Sequence, residues 1–348
     1  MAFSEDKSVE KPAIEIFKGL DFDTVDLYGE ICSPNNELGR ETRSEVLLKN
    51  ILREKLAEFN PDLSSAVFDS AIIELGKDRS SLSLVRANNQ IYELLKNGVK
   101  VETLVDGIEQ TKIVKIIDWD NPENNDFLLA SQMWITGNLY TRRPDLIGFI
   151  NGIPLILFEL KNFTVNIKHA YDDNLTDYKK TIPQLFWYNG LVILSNGIET
   201  RVGTFSAPWE HFNEWKRLSE DQEITDTLDC YLKRSREQGK VSLERTIKGT
   251  CSKKNLLDLI ENFILFADIQ GKPVKIIAKN HQYLGVNKAI EAYQQARDGD
   301  GKIGVFWHTT GSGKSYSMIF FSNKIFRKYP GNYTFLIVTD RTSDIQEL

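Results

Sequence analysis

The spacing of apolar residues divides the first part of the chain into helical and strand-like stretches. Residues 41–59, 68–75 and 81–95 repeat apolar side chains every three or four positions, which is typical of amphipathic helices. Residues 99–117 alternate and carry β-branched side chains, as strands do. Further strands are predicted at 128–135, 146–150, 153–160, 191–195 and 199–205, and a further helix at 168–180. This order predicts an α/β fold between residues 40 and 208.

The second part of the chain changes to a regular alternation. Helices are predicted at 281–297 and 316–328, and strands at 302–307 and 333–339. Helices and strands that alternate in this way open a parallel α/β domain. The predicted regions are an N-terminal arm at 1–35, a first domain at 36–215, a basic and helical linker at 216–268, and an incomplete second domain at 269–348.

Charge distinguishes two of these regions. The first thirty residues hold eight Asp and Glu against three Lys, which favours a loosely held arm. Residues 231–254 hold eight Lys and Arg against two Glu and are expected to form a solvated linker face, with contact to a DNA backbone as the alternative. Because the whole chain has a formal net charge of −6, any contact with nucleic acid must use a local basic patch.

Composition narrows the class of protein. Hydrophobic residues make up 41% and charged residues 26%, as in ordinary globular proteins. The cysteines at positions 32, 230 and 251 are too far apart for a zinc-binding pair and too few for a disulfide framework. The N-terminus has no apolar leader. These features predict a soluble cytoplasmic protein with reduced thiols.

Three charged residues interrupt two otherwise apolar strands. Asp145 precedes the first strand, and Glu159 and Lys161 share one face of the second, because residues two apart on a strand point the same way. Neighbouring carboxylates repel unless a cation lies between them, and oxygen ligands suit Mg²⁺. We therefore expect Asp145 and Glu159 to bind Mg²⁺ for phosphodiester hydrolysis, with Lys161 orienting water or neutralising charge. An incidental Glu–Lys ion pair is the alternative.

The pairing register of the two strands decides whether Asp145 can reach the other two residues. A two-residue turn would place Asp145 opposite Phe158, on the wrong face. A three-residue loop at 151–153 would place it opposite Glu159, with Cβ atoms about 5 Å apart. Because Pro154 cannot donate to a strand ladder, we expect an irregular start to the second strand and the three-residue loop.

The sequence around these residues resembles the nuclease domain of the R (restriction and motor) subunit of type I restriction–modification enzymes. Pro144-Asp145 followed by Glu159-x-Lys161 matches the PD-(D/E)xK nuclease motif. The segments NDFLLASQMWI, RRPDLIGFINGIPLILFELKN and IPQLFWYNGLVILSNG carry the wider resemblance, which runs from about residue 125 to the C-terminus. It implies a PD-(D/E)xK restriction-endonuclease-like fold for the first domain.

That family implies further site residues. It carries a Gln-x-x-x-Tyr motif on the helix after the lysine, for which there are two candidates. Asn174-x-x-x-Tyr178 lies on the predicted helix, whereas Gln184-x-x-x-Tyr188 matches literally but follows a proline in an apolar run. We expect Asn174 and Tyr178 to act and the other pair to pack. A glutamate from the first helix completes some such sites, and the candidates are Glu45 and Glu54.

A glycine-rich sequence, HTTGSGKS at 308–315, follows a predicted strand and opens a predicted helix, which is the context that a P-loop requires. Glycines let backbone N–H groups turn toward phosphate oxygens. Lys314 would reach the β- and γ-phosphates, and Ser315 would bind Mg²⁺. The P-loop residues expected to bind ATP are Thr310, Gly311, Ser312, Gly313, Lys314 and Ser315.

The same sequence resembles motif I of superfamily 2 helicase-like motors, as found in type I R subunits. Residues 279–283 resemble their adenine-reading segment, which implies that Gln282 hydrogen-bonds the adenine. The strand before Asp340 is not expected to be a Walker B strand, because Arg341 follows where a Glu would position water. It resembles the DNA-contacting motif Ia instead. The second domain is therefore expected to be a fragment of a RecA-like motor lobe.

The resemblance implies the DNA-cleaving and ATP-dependent DNA-translocating subunit of a type I restriction enzyme. Its cofactors would be Mg²⁺ and ATP, and its partners double-stranded DNA and the methyltransferase (M) and specificity (S) subunits. The chain is expected to be the N-terminal part of a longer polypeptide and not to hydrolyse ATP alone. A stand-alone nuclease–helicase of DNA repair and a non-catalytic nucleotide-binding scaffold are the alternatives.

Overall fold

A six-stranded mixed sheet forms the centre of the computed structural model, which describes residues 9–105, 108–219, 238–297 and 299–338. The α-helices of these residues are α1 (Lys11–Lys18), α2 (Lys49–Phe59), α3 (Ser65–Gly76), α4 (Leu84–Asn97), α5 (Thr176–Thr181), α6 (Gln238–Cys251), α7 (Lys253–Asn262), α8 (Asn280–Arg297) and α9 (Lys314–Lys328). None of the helices in this part of the chain is both long and apolar enough to cross a membrane.

The strands confirm the mixed α/β architecture. They are β1 (Asp23–Asp26), β2 (Val99–Val105), β3 (Ile108–Val114), β4 (Phe127–Ser131), β5 (Ile135–Thr136), β6 (Thr141–Arg142), β7 (Leu146–Ile150), β8 (Ile153–Leu160), β9 (Leu191–Ser195), β10 (Thr200–Gly203), β11 (Ile264–Ile269) and β12 (Lys272–Ile277). The large sheet has the order β1-β4-β7-β8-β9-β10, and three two-stranded sheets complete the set.

The centre of the large sheet is β7 and β8, and every residue of both strands is buried. Strands covered on both faces are apolar throughout instead of alternating, which explains the run that the sequence shows here. β7 is antiparallel to β4 and β8, whereas β8 is parallel to β9. A charged side chain at the end of β8 therefore lies at the edge of a nearly dry core.

The predicted N-terminal arm is wrong for residues 9–35. β1 pairs in parallel with β4 at one side of the large sheet. Helix α1 buries Ala13 and Phe17 completely, and the Phe17 ring lies 5.4 Å from that of Phe158 in an edge-to-face contact. Residues 13 and 17 are one helical turn apart and so form an apolar face, which the acidic composition of this region does not indicate.

The helix predicted at 41–59 begins only at Lys49. The carboxylate of Glu45 accepts hydrogen bonds from the backbone N–H groups of Glu41 (2.6 Å) and Thr42 (3.3 Å), which fixes a turn instead. The next three residues, 46–48, are all buried. Three consecutive buried positions do not fit one face of a surface helix, so this stretch is a buried connection.

The segment predicted as a linker contributes to the main core where it is described. Helix α6 buries Leu243 and Ile247, and α7 buries Leu256 and Ile260, in the same cluster as the large sheet. Helix α7 ends at residue 262, and the chain continues as β11, which pairs with β12. Residues 220–237 lie outside the described ranges.

Three basic side chains of this segment form contacts within the chain. Lys253 forms an ion pair with Glu123 at 2.7 Å, and Lys248 pairs with a glutamate one helical turn away. Arg245 donates from Nε to the carbonyl of Trp215 at 2.9 Å. These contacts favour the interpretation of a solvated structural face over that of a DNA contact for residues 238–254.

Helices α8 and α9 form where they were predicted and pack through a second cluster that includes Tyr283 and Phe320. The strands predicted at 302–307 and 333–339 do not form in the described residues, and residue 339 lies outside them. Both segments lack ladder partners, and Val305 and Leu336 are 94% and 88% exposed. A strand requires a neighbour for its N–H and C=O groups, and neither segment has one among these residues.

Candidate functional sites

The β7–β8 hairpin turns through Asn151 and Gly152, with φ of 51° and 78°. Positive φ at both central residues is the geometry that an Asn-Gly pair favours in a two-residue hairpin turn. Ile150 accordingly pairs with Ile153, and the predicted three-residue loop is wrong. The Asn151 side chain fixes the turn by donating to the carbonyl of Ile116 at 2.9 Å.

A β-bulge then restores the register that was expected from the longer loop. The register shifts between Gly148 and Phe149, so that Leu146 pairs with Phe158. The extra residue is Leu155, whose carbonyl accepts a hydrogen bond from the Gly190 N–H at 2.7 Å instead of a ladder bond. Bulges commonly re-aim side chains beside active sites. Because of this bulge, Asp145, which directly precedes β7, lies level with the carboxyl end of β8.

Asp145, Glu159 and Lys161 meet at this level. Asp145 Oδ2 accepts a hydrogen bond from the backbone N–H of Leu160 at 2.7 Å, and Lys161 Nζ lies 3.0 Å from Glu159 Oε1. Glu159 is 2% exposed, and its Oε2 has no hydrogen-bond partner among the described residues. Burial, followed by the charge of Asp145, raises the pKa of Glu159 to about 8.

The donor set of this pair suits a hard divalent cation. Asp145 and Glu159 present carboxylate oxygens, and the unpartnered Oε2 of Glu159 requires a partner that the described chain does not supply. Within the described ranges no group of three or more His, Cys, Asp or Glu residues is placed to hold a metal ion. The two carboxylates are therefore the ligands that the chain can offer here, and Mg²⁺ fits them.

The helix after Lys161 changes character at the site. Residues 170–175 form a π-helical turn that continues into α5. Such turns often occur at functional sites. Asn174 Nδ2 lies 3.5 Å from the hydroxyl of Tyr178, and burial together with the charge of Glu159 raises the pKa of Tyr178. The expected pair, Asn174 and Tyr178, thus lies on one helix face, with Tyr178 under the influence of Glu159.

The alternative pair of residues packs elsewhere. Gln184 donates from Nε2 to the carbonyl of Thr136 at 2.9 Å, and the Tyr188 hydroxyl donates to the carbonyl of Leu75 at 2.9 Å. Both lie in or beside a short 3₁₀-helix rather than on α5. Their polar atoms hold backbone carbonyls of separate segments, which is a packing role.

In the described part of the chain, no observed contact joins either candidate glutamate, Glu45 or Glu54, to Asp145 or Glu159. Glu45 is engaged with backbone N–H groups and Lys49, and Glu54 is exposed on α2. Glu10 instead is buried, and its two carboxylate oxygens accept from Gln132 Nε2 at 3.0 and 2.9 Å. The backbone N–H of Gln132 donates to the carbonyl of Asp145 at 3.0 Å.

The acidic composition of the N-terminus predicts a loose arm and gives no reason to single out Glu10. The signal was present in the apolar spacing of Val9, Ala13 and Phe17, which marks a helix. Gln132 has a φ of 58°, a conformation that non-glycine residues seldom adopt. Its side chain and backbone link the two acidic residues, so the unusual backbone lies at the site.

The predicted P-loop opens helix α9 as expected, but the strand predicted before it does not form in the described residues. Gly311 and Gly313 have φ of 77° and 85°, and Gly313 caps the N-terminus of α9. Lys314 Nζ donates to the carbonyl of His308 at 2.9 Å across the loop. The turn at Gly311 and the helix N-terminus together provide the N–H groups that an anion would contact.

Gln282 is fastened to this loop. Its Oε1 accepts from the backbone N–H of Lys279 at 2.8 Å, and its Nε2 donates to the carbonyl of Gly313 at 2.8 Å. The residue is 3% exposed. Both ends of the amide are therefore occupied by backbone groups, and the contact of Gln282 with adenine stays a prediction.

Comparison with known proteins identifies the family. The model of the family described as "Type I restriction enzyme R protein N terminus (HSDR_N)" matches residues 2–211. The chain belongs to this family. A second description, SWI2/SNF2 ATPase, matches residues 281–347. The resemblance to type I R subunits is thereby confirmed, with a restriction-enzyme N-terminal region followed by the start of an ATPase region.

Named relatives agree with this assignment. The chain is 36% identical over 313 residues to the Type I restriction enzyme HindI endonuclease subunit of Haemophilus influenzae, covering 88% of this chain and 28% of that subunit. It is 32% identical over 358 residues to the Putative type I restriction enzyme MjaIXP endonuclease subunit of Methanocaldococcus jannaschii, covering 97% and 33% respectively. The chain spans about a third of the length of these relatives.

Proposed function

We propose that the chain carries the Mg²⁺-dependent DNA-cleaving site of a type I restriction endonuclease, together with the ATP-binding start of its DNA-translocating motor. The observation that supports the nuclease site is the meeting of Asp145, Glu159 and Lys161 at the end of a buried hairpin. A charged trio at the margin of an apolar core is costly unless it performs chemistry or is fully paired. The first domain would then have a PD-(D/E)xK fold.

The chain's own residues would divide the work of hydrolysis. Asp145 and Glu159 would hold Mg²⁺, which when bound supplies Lewis acidity and lowers the pKa of water. The Leu160 N–H fixes the Asp145 carboxylate through its 2.7 Å hydrogen bond. Lys161, 3.0 Å from Glu159, would neutralise charge that develops on the phosphate. Asn174 and Tyr178 would orient groups on the adjoining helix face.

The ATP site would use the loop from Thr310 to the start of α9. The αL conformations of Gly311 and Gly313 turn the loop, and the helix N-terminus adds positive potential. Lys314 would exchange its contact with the His308 carbonyl for the β- and γ-phosphates, and Ser315 would bind the accompanying Mg²⁺. Translocation of double-stranded DNA and assembly with M and S subunits would be activities of the whole subunit.

Substitution in the full R subunit, assembled with its methyltransferase and specificity partners, tests the nuclease site. Asp145→Ala or Lys161→Ala should lower DNA cleavage at least about 100-fold, because a metal ligand or a charge-neutralising group is lost. ATP hydrolysis should stay within about twofold, since the P-loop lies on a separate element. The readouts are conversion of circular DNA to linear form and phosphate release.

Asp69→Asn is the matched control, because Asp69 is a half-exposed carboxylate that pairs with Arg53 on the surface. It should cut at the unaltered rate. Cleavage that persists in both site variants would show that the acidic pair is structural, as the scaffold alternative requires. ATPase activity that survives Lys314→Ala would contradict the proposed ATP site.

A further inference from the structure

Two arginines stack on a pair of aromatic rings beside the acidic site. The Arg143 guanidinium lies 4.9 Å from the ring centroids of both Tyr28 and Trp134, and that of Arg43 lies 5.6 Å from the Trp134 ring. Trp134 Nε1 donates to the carbonyl of Tyr28 at 3.1 Å, which joins the two rings. These four residues are called the arginine–aromatic cluster.

Neither arginine of the cluster forms an ion pair with a described residue. The adjacent Arg142 pairs with Asp177, and Arg40 pairs with Glu30 in a buried position. Arg43 is exposed, and Arg143 is half-buried against the rings. Two positive charges are therefore held in place by stacking and not neutralised by carboxylates, although the chain as a whole is acidic.

The cluster lies next to the nuclease site along two routes. Arg143 is two residues before Asp145, which limits their Cα separation to about 7 Å. Trp134 is two residues after Gln132, whose N–H binds the Asp145 carbonyl. Both routes lead to Asp145, so a DNA strand that contacts the Arg143 guanidinium would pass beside the acidic pair.

We propose that the arginine–aromatic cluster binds backbone phosphates of the DNA strand next to the phosphodiester that Asp145 and Glu159 address. A guanidinium stacked on a ring keeps its N–H edges directed outward in a fixed plane, and that planar fork matches phosphate oxygens. The half-exposed Tyr28 ring widens the surface without adding negative charge. This inference rests on the proposed nuclease function and names the protein groups that place its substrate.

The experiment measures binding apart from cleavage. The 348-residue chain carrying Asp145→Ala is titrated with a fluorescent 30-base-pair duplex between about 50 and 200 mM salt. Arg43→Gln with Arg143→Gln should weaken binding at least about tenfold at the lowest salt. The slope of log K against log salt should fall by about 2, one for each lost phosphate contact. Arg86→Gln, which removes an exposed arginine of α4 outside the cluster, should change neither quantity.

A second pair of variants separates charge from geometry. Arg43→Lys with Arg143→Lys should keep the salt slope and still weaken binding several-fold, because lysine keeps the charge and loses the stacked fork. Equal binding by the Lys variant would refute the role of stacking. An unchanged salt slope in the Gln variant, or no measurable binding by the parent chain, would overturn the proposal.

Failure of the inference and failure of the proposed function remain distinguishable. An unchanged salt slope in the Gln variant, in a subunit whose DNA cleavage is abolished by Asp145→Ala, would reject the cluster alone. A Gln variant that binds weakly, in a subunit whose cleavage is unaffected by Asp145→Ala, would reject the nuclease site and leave a DNA-binding surface. Thermal unfolding of each variant within a few degrees of the parent chain establishes that the fold is retained.

Discussion

At the scale of single residues, Lys275 is an ionisable group in the core. It is fully buried on β12, and its Nζ donates to Asn88 Oδ1 at 2.9 Å and to the carbonyl of Asn189. The rings of Phe205 and Phe266 lie 5.8 and 5.7 Å from it. Burial lowers its pKa to about 7, because the charged form loses its hydration. The β11–β12 hairpin is thus attached to the main core by a buried amine whose pKa lies near neutrality.

Stability should therefore depend on pH through Lys275. In the unfolded chain the amine keeps its ordinary pKa near 10.5, so between about pH 7 and 10 the unfolded state binds more protons. The destabilisation is complete below pH 7 and is relieved as the pH rises. Relative to Lys275→Met, the parent chain should gain up to about 1.4 kcal/mol per pH unit from pH 7 to 9.

Urea unfolding at pH 6, 7, 8 and 9, followed by tryptophan fluorescence, measures this difference. Lys272→Met is the control, because Lys272 is exposed on the same strand and should show no such trend. A constant difference between the parent chain and Lys275→Met across the range would mean that the amine keeps its charge when folded.

At the scale of elements, two hairpins share one type of turn but differ in their surroundings. The β7–β8 turn uses Asn151-Gly152 and the β11–β12 turn uses Gln270-Gly271, and both glycines have φ of 78°. A Cβ on Gly152 would lie 2.4 Å from the carbonyl oxygen of Leu48, whereas one on Gly271 would meet nothing within 4 Å. The first turn is packed under the connection to α2, and the second is open.

Alanine substitutions should separate the cost of a side chain at positive φ from the cost of a close backbone contact. Gly271→Ala should lower the free energy of unfolding by about 1–2 kcal/mol, the cost of a left-handed conformation with a side chain. Gly152→Ala should cost about 3 kcal/mol or more, because the backbone of residue 48 must also move. Chemical denaturation of the two variants gives the comparison. An equal loss of unfolding free energy in the two variants would show that the backbone at residue 48 can move without a measurable energetic cost.

At the scale of the whole molecule, the buried apolar residues of the described chain form two clusters of different size. The large sheet and its helices form one continuous core that extends from Val9 to Ile264. A smaller cluster joins α8 and α9 to Trp215, Leu259 and Phe263. Arg327 and Lys328 at the end of α9 bind the buried Glu261, each at 2.6 Å, and so attach this cluster to the main core.

Limited proteolysis should follow this division. Chymotrypsin should cut first after Trp307 and Leu336, because both side chains are exposed and lie in segments without helix or strand. Phe17 and Phe158, although preferred by the same enzyme, should be protected by the core. Mass spectrometry of early fragments identifies the sites. Early cleavage at Phe17 would restore the interpretation of the N-terminus as a loose arm.

Features that depend on local period, turn chemistry and short motifs could be predicted without the structure. The α/β class, helices α3, α4, α8 and α9, and the hairpin strands followed from apolar spacing, because neighbouring residues fix which face is apolar. The P-loop conformation followed from its glycines. Asp145, Glu159 and Lys161 stood out as candidates because charged residues in an apolar strand are conspicuous wherever that strand is placed.

The tertiary structure alone decided what depends on contacts distant in sequence. The bulge at Leu155 set the register of Asp145, because the Gly190 N–H takes the carbonyl that a regular ladder would use. Glu10 is held by Gln132, which is 122 residues away in sequence and whose backbone N–H donates to the Asp145 carbonyl. Residues 302–307 remained unpaired despite their strand-like pattern, since a strand requires a partner that local sequence cannot supply. Periodicity specifies which face is buried, and the packing of distant segments specifies what each face meets.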